Sequence, residues 1–280
     1  MIKAEIVADS ISEAGARITT FLLVYPRFIH SELMTHRAFS RNAASSRAIP
    51  FKKMVKMIQE NVAMPIHWGA EQKGMQSGGE VENKQGAILK WNRACRLAIL
   101  SANQLAKLNV HKSICNRLLE PFAHMTTLVT ATELNNFFNL RAHKDAMPEF
   151  QELAYLMLDL YVQNEPRVRK GKQWHLPYAN KYLPENLPIE LLLKISTARA
   201  ARTSYLTMDG EIAHEKDYEL HDRLSSSGHW SPFEHPALPL ENPKEICGNF
   251  IGWMPYRKQF PNENQSILKS IPRCKQNAAK

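Results

Sequence analysis

The stretch Thr35-His36-Arg37-Ala38-Phe39-Ser40-Arg41-Asn42-Ala43-Ala44-Ser45-Ser46-Arg47 packs one histidine, three arginines, three serines and one asparagine into thirteen residues. An apolar run at residues 18–25 precedes it, followed by Pro26 and a helix-like segment at 28–34. An apolar strand feeding a helix whose exit carries arginines and hydroxyls makes an anion cradle. Guanidinium forks, hydroxyl donors and free backbone N–H groups all favour phosphate. Taken alone, the stretch reads equally well as a solvated basic loop capped by serine and asparagine.

The whole chain sets the bounds. Its 280 residues can bury a sizeable core, and 44% hydrophobic with 22% charged residues is ordinary for a globular protein. The formal net charge of +9 calls for acidic partners: nucleic acid, an anionic surface or phosphorylated small molecules. No apolar run approaches the roughly 18–20 residues needed to span a bilayer, and the N-terminus lacks the apolar core of a signal peptide. A cytoplasmic location without membrane contact is the default expectation. Cys95, Cys115, Cys247 and Cys274 are scattered without a CxxC pair, which fits neither a zinc site nor a disulfide framework. Reduced thiols are expected.

Hydrophobic periodicity organises the rest. Residues 3–8 and 18–25 read as strands, and 51–62, 87–108, 112–119, 132–140 and 149–162 as helices. The glycine-containing segment 67–86 reads as a loop with neither GxGxxG nor P-loop spacing. A proline-rich connecting segment, 164–188, carries Trp174, Tyr178 and Tyr182, aromatics that predict packing on the body. Helices at 189–202 and 216–225 and a strand at 246–253 follow, and 255–280 reads as an irregular basic tail. The expected architecture is α+β in one domain spanning 1–280, with a small sheet from strands near both termini and a helical layer between them.

Two further stretches are rich in chemically competent side chains. The first runs from Arg117-Leu118-Leu119-Glu120-Pro121 to Asn136-Phe137-Phe138-Asn139-Leu140-Arg141. A helix end presenting Asn139 and Arg141 can hydrogen-bond a planar, amide-containing ring, although a cationic C-terminal cap explains Arg141 equally well. The second joins Ala198-Arg199-Ala200-Ala201-Arg202-Thr203-Ser204-Tyr205 to Gly228-His229-Trp230-Ser231-Pro232-Phe233-Glu234-His235. His229, Glu234 and His235 lack HExxH or HxH spacing, so no metal site is assigned, and no GxSxG elbow supports a serine nucleophile.

Together these stretches resemble the flavin-dependent thymidylate synthases (ThyX). Thr35-His36-Arg37, seven residues, Ser45 and then Arg47 resembles that family's Arg-His-Arg signature. Arg117-xxx-Pro121 with Asn136 to Arg141 resembles its Arg-xxx-Pro and Asn-Phe-Leu-Asn-Leu-Arg segment. Residues 198–205 resemble its Arg-Ala-Ala-Arg-Val-Ser stretch, and 228–235 its Gly-His-x-(Ser/Thr)-Pro-Phe-Glu-His. In the usual member the last two stretches come first, so this chain reads as a circularly permuted ThyX-like mixed sheet with a helical layer, joined through 164–188.

The resemblance implies transfer of a methylene from methylenetetrahydrofolate to C5 of dUMP, with NADPH reducing FAD, to give dTMP. It implies Arg141 as the catalytic residue that polarises the uracil. Glu32, Ser45, Arg47, Arg117 and Arg141 match positions that hold the nucleotide. His36, Arg37, Asn136, Ser204, Ser231 and His229 match positions around the cofactor. A homotetramer with active sites shared between chains is implied too.

Three departures stand out: Thr35 for the first motif arginine, Glu32 for a glutamine, and Ala43 for an acidic residue. Glu32 beside a phosphate would need a partner, with Arg41 as the candidate. The departures motivate an alternative of the same chemistry, a flavin- and folate-dependent hydroxymethylase or related C5-modifying enzyme of a pyrimidine deoxynucleotide. An alternative of another class is a basic nucleic-acid-binding protein without catalysis. It rests on the +9 charge, the 167–172 cluster and the Lys-rich tail, and it lacks any RRM, zinc-finger or helix-turn-helix signature. If the anion-cradle reading holds, Arg47→Ala raises the nucleotide KM with little change in kcat, since a phosphate fork contributes uniform binding; steady-state kinetics with an unchanged KM would reject the cradle.

Overall fold

Strand β1 (Lys3–Ser12) and strand β2 (Arg17–Pro26) form an antiparallel hairpin around Gly15, whose φ of +88° suits a residue without Cβ. The register shifts between Ile6 and Ala8, marking a bulge. After a 3₁₀ turn at Arg27–Ile29 comes the short helix α1 (His30–Met34), then β3 (Ser40–Ala43). Helices α2 (Phe51–Glu60), α3 (Lys84–Lys107) and α4 (Lys112–Cys115) lead through a 3₁₀ segment, Asn116–Phe122, into β4 (His124–Ala131). Helix α5 (Asn135–Arg141), helix α6 (Pro148–Gln163) and β5 (Arg167–Arg169) follow. Helices α7 (Ile189–Arg202) and α8 (His214–Ser226) precede four short strands: β6 (Ala237–Pro239), β7 (Ile246–Cys247), β8 (Phe250–Ile251) and β9 (Trp253–Pro255). The computed structural model describes residues 1–179, 187–206 and 214–264. Tyr182, Pro184, Cys274 and the basic tail from 265 onward lie outside the described residues.

The five-stranded sheet has the order β3-β4-β2-β1-β5, antiparallel except for the parallel β1–β5 edge. One face is covered by α5 and α6. Phe21, Leu23, Tyr25 and Val129 meet Phe137, Phe150, Leu153 and Met157 in a core that excludes water. Full burial of a phenylalanine side chain contributes on the order of 1.5–3 kcal/mol, so these rings hold α5 and α6 against the sheet. A second cluster packs Met54 and Ile58 of α2 against Cys95 and Ala102 of α3 and Phe122.

The α+β architecture agrees with the sequence, but several expectations are corrected. The main sheet draws every strand from the first 169 residues; the C-terminal strands form two separate two-stranded sheets. The expected strand at 246–253 is broken twice, by the turn at Gly248 and Asn249 that joins β7 to β8 and again at Gly252, where φ is +72°. The expected helix at 112–119 tightens to 3₁₀ geometry from Asn116, ahead of Pro121. The helix expected at 132–140 begins at Asn135, because Thr130 and Ala131 still belong to β4. As the aromatics predicted, the connecting segment packs on the body, with Trp174, Leu176 and Ala179 buried.

That segment also threads His175 into the sheet. His175 Nδ1 pairs with Ser10 Oγ at 2.9 Å and Nε2 with Thr20 Oγ1 at 2.8 Å. Thr20 pairs in turn with Thr130 Oγ1 at 2.7 Å, and Thr130 with His235 Nδ1 at 2.8 Å. Both histidines are fully buried, and burial pushes each down to about 3. The unfolded chain therefore binds more protons below the ordinary histidine value of 6.5, and stability is lost as pH falls from there toward about 3. Urea midpoints are expected to drop between about pH 6.5 and 5, above the usual carboxylate range, and less steeply in His175→Asn; an unchanged slope in the variant would reject this origin.

Candidate functional site

The Thr35–Arg47 motif wraps the β3 edge of the sheet, and its interior is organised by backbone capping. Arg41 Nη1 donates to the carbonyls of Leu33 at 3.4 Å, Met34 at 3.0 Å and His36 at 3.3 Å, satisfying the exposed end of α1. Arg41 is thus committed to carbonyls and does not pair with Glu32, contrary to the expectation from sequence. The carboxylate of Glu32 lies instead 3.6 Å from Nη1 of Arg141.

Arg141 occupies the last turn of α5 and faces the motif. Its Nε donates to His36 Nε2 at 3.0 Å, and its Nη2 to Thr35 Oγ1 at 3.4 Å. The guanidinium carbon stands 4.7 Å from the centre of the Phe150 ring, a cation–π contact. His36 accepts through Nε2, so its proton sits on Nδ1, and burial beside Arg141 and Arg41 pushes the ring down to about 4. Neutral His36 stacks on Phe39 at 5.6 Å and meets Phe137 edge-on at 4.9 Å.

A second set of contacts gathers the remote segments. Asn42 Nδ2 donates to Ala200 O at 2.9 Å and to Ser204 Oγ at 3.1 Å, while its Oδ1 accepts from Ser231 Oγ at 2.8 Å. Ser45 N donates to Ser204 O at 2.9 Å. Residues 198–205 and 228–235 are therefore fastened directly to the opening motif. Asn42 was part of that motif in the sequence but not singled out; its burial, flanked by Arg41 and Ala43, was the missing signal.

On the third side, Arg117 Nη1 lies 3.4 Å from Glu120 Oε1, which also accepts from Ser46 Oγ at 2.5 Å. Arg27 Nη2 reaches the other Glu120 oxygen at 3.2 Å. Glu120 and Arg27, which the sequence did not mark, thus complete an arrangement of donors around one carboxylate. Arg37, Arg47, Asn136 and His229 are exposed, and His229 Nδ1 pairs with Ser227 Oγ at 2.8 Å. Beyond the motif, Arg257 Nη1 pairs with Glu234 Oε1 at 2.6 Å and holds the turn that carries Ser231. Among the described residues no group of three His, Cys, Asp or Glu could hold a metal, and no helix is long and apolar enough to cross a membrane. An open pocket of about 550 Å³ lies at α5, lined by Asn135, Phe138, Asn139, Ala142, His143 and Leu158.

Comparison with known proteins places this architecture. The sequence profile of Thy1, described as thymidylate synthase complementing protein, matches residues 16–167, more than half of the chain. The chain belongs to this family, an α+β fold of enzymes acting on pyrimidine nucleotides. Among solved structures, it is similar to a UMP/dUMP methylase PolB from Streptomyces cacaoi bound with 5-Br dUMP, at 18% identity, with a TM-score of 0.49 over 58% of this chain and 90% of that one. The same enzyme with 5-Br UMP matches at 19% identity and a TM-score of 0.48, over 58% and 89%. Thymidylate Synthase X from Helicobacter pylori with FAD and dUMP matches at 17% identity and 0.38, over 51% and 66%. No curated protein is matched by sequence.

Asn42 is the element whose loss tests this geometry. Asn42→Asp replaces an amide donor by an acceptor facing Ala200 O and Ser204 Oγ, and should destabilise the fold by about 2 kcal/mol or more. Thermal unfolding with an unchanged midpoint would show that the remote segments are held elsewhere.

Proposed function

We propose that the protein is a flavin-dependent thymidylate synthase, which converts dUMP to dTMP with methylenetetrahydrofolate as carbon donor and NADPH as reductant. The observation that carries this reading is Arg141, presented by α5 into the Thr35–Arg47 motif and held at its edge by His36 and over its face by Phe150. Membership in the family supports it. A guanidinium fixed in this way can donate to a pyrimidine carbonyl and stabilise the charge that develops there, with no reorganisation at the moment of reaction.

Ser45, Arg47 and Arg117 take the phosphate in this reading. Arg47 and Arg117 are both exposed, which leaves their guanidinium groups open to a ligand. FAD joins a flat ring system to a diphosphate, and the residues present fit it. His36 is neutral and stacked, Arg37 is exposed with no ion pair among the described residues, and Ser204 and Ser231 bring hydroxyls to one buried amide. Asn136 and His229 supply further exposed polar groups. When bound, FAD supplies the hydride that completes the methyl group. The protein's own part is to orient the pyrimidine, fix the phosphate and keep His36 neutral.

The chain order is read as a circular permutation. Residues 198–205 and 228–235 fall outside the family match yet are hydrogen-bonded onto the motif they would precede in an unpermuted chain. Assembly into a homotetramer with shared sites is supported by α3, where Leu89, Leu97 and Leu100, with Leu108 just beyond, are exposed along one face.

Flavin absorbance tests the reading. Added FAD should bind and show bands near about 370 and 450 nm that shift with dUMP. Arg141→Ala should keep the flavin spectrum and lose turnover by at least about a hundredfold. A protein that takes up no FAD, or an Arg141→Ala variant with near-normal turnover, would overturn the proposal.

A further inference from the structure

The carboxylate of Glu32 stands beside the guanidinium of Arg141 without being consumed by it. Their closest approach, 3.6 Å, is longer than a hydrogen bond. Glu32 is half-buried, and its carboxylate has no hydrogen bond and no ion pair other than this one among the described residues. Arg141 is fixed on three sides: Nε to His36, Nη2 to Thr35, and its face to Phe150. Thr35 Oγ1 spends its own proton on Glu32 O, at 2.7 Å, so it receives from Arg141. The corner therefore presents an acceptor free of hydrogen bonds, the Glu32 carboxylate, next to the remaining N–H donors of a guanidinium held at its edge and face.

An acceptor beside a donor is complementary to an N–H beside a carbonyl oxygen. Uracil carries that pair at N3–H and either flanking oxygen. We propose that Glu32 and Arg141 together read the imide edge of the pyrimidine, Glu32 accepting from N3–H while Arg141 donates to the adjoining carbonyl. This rests on the reading that a pyrimidine nucleotide binds at Arg141, and it makes Glu32 a specificity-determining residue of that site. Burial raises the Glu32 carboxyl above its ordinary value, which makes its ionised form a stronger acceptor. Cytosine, with a bare lone pair at N3, would put that lone pair against the carboxylate. It could engage only in a shifted register, with its exocyclic amine at Glu32 and N3 at Arg141.

Removing the N–H on the ligand and the carboxylate on the protein, separately and together, isolates the contact. Calorimetric titrations would use dUMP, 3-methyl-dUMP and dCMP with the intact protein, Glu32→Ala and Glu32→Gln. In the intact protein, N3-methylation is expected to weaken binding by about tenfold or more. In Glu32→Ala the same methylation should cost no more than about twofold, and Glu32→Gln, whose amide oxygen still accepts, should restore most of the penalty. An equal penalty in all three forms would overturn the assignment of Glu32 while leaving the nucleotide reading standing. Tighter binding of dCMP than of dUMP would show the shifted register and overturn the imide assignment. Failure of every form to bind dUMP would overturn both the assignment and the reading beneath it.

Discussion

One buried amide holds the motif and the remote segments together. Asn42 sits on the edge strand β3 and joins three parts of the chain through hydrogen bonds to Ala200, Ser204 and Ser231. A carboxamide suits the position because it donates and accepts from one planar group, and here both capacities are used. A buried amide left unpaired costs about 1–3 kcal/mol, so the same contacts that assemble the site also enforce its geometry. The turn bearing Ser231 is further fixed by the Arg257–Glu234 ion pair, made by a residue well outside the family match.

Behind this edge, the sheet is tied across its strands by polar groups that are fully enclosed. Ser10, His175, Thr20, Thr130 and His235 form a continuous series of hydrogen bonds spanning β1, β2 and β4. Each hydroxyl can donate once and still accept, so two neutral imidazoles can be linked without placing a charge in the core. The connecting segment is thereby locked to the sheet through His175.

The motif corner is held by contacts between the motif and α5. The Thr35 hydroxyl receives from the guanidinium of Arg141, which also donates to His36. Arg41 is drawn to the carbonyls ending α1, which leaves Glu32 facing Arg141. The corner gathers the Glu32 carboxylate, the guanidinium groups of Arg141 and Arg41, and a histidine kept neutral by burial and by those two arginines.

The sequence by itself determined the α+β class, the strands β1 and β2, the long helices and the clustering of arginines and hydroxyls, because periodicity and residue type are local properties. It marked Arg141, His36, Ser204 and Ser231 through their motifs. It did not reveal β4, whose Thr-rich run, His124–Ala131, lacks the alternation of a half-exposed strand since most of its residues are buried between neighbours. Nor could it assign partners. Glu32 pairs with Arg141, 109 positions away, and Asn42 with Ser231, 189 away. Only the tertiary structure decided these pairings, because burial and the competition among several arginines for few carboxylates and carbonyls are settled by which surfaces meet after the chain has folded.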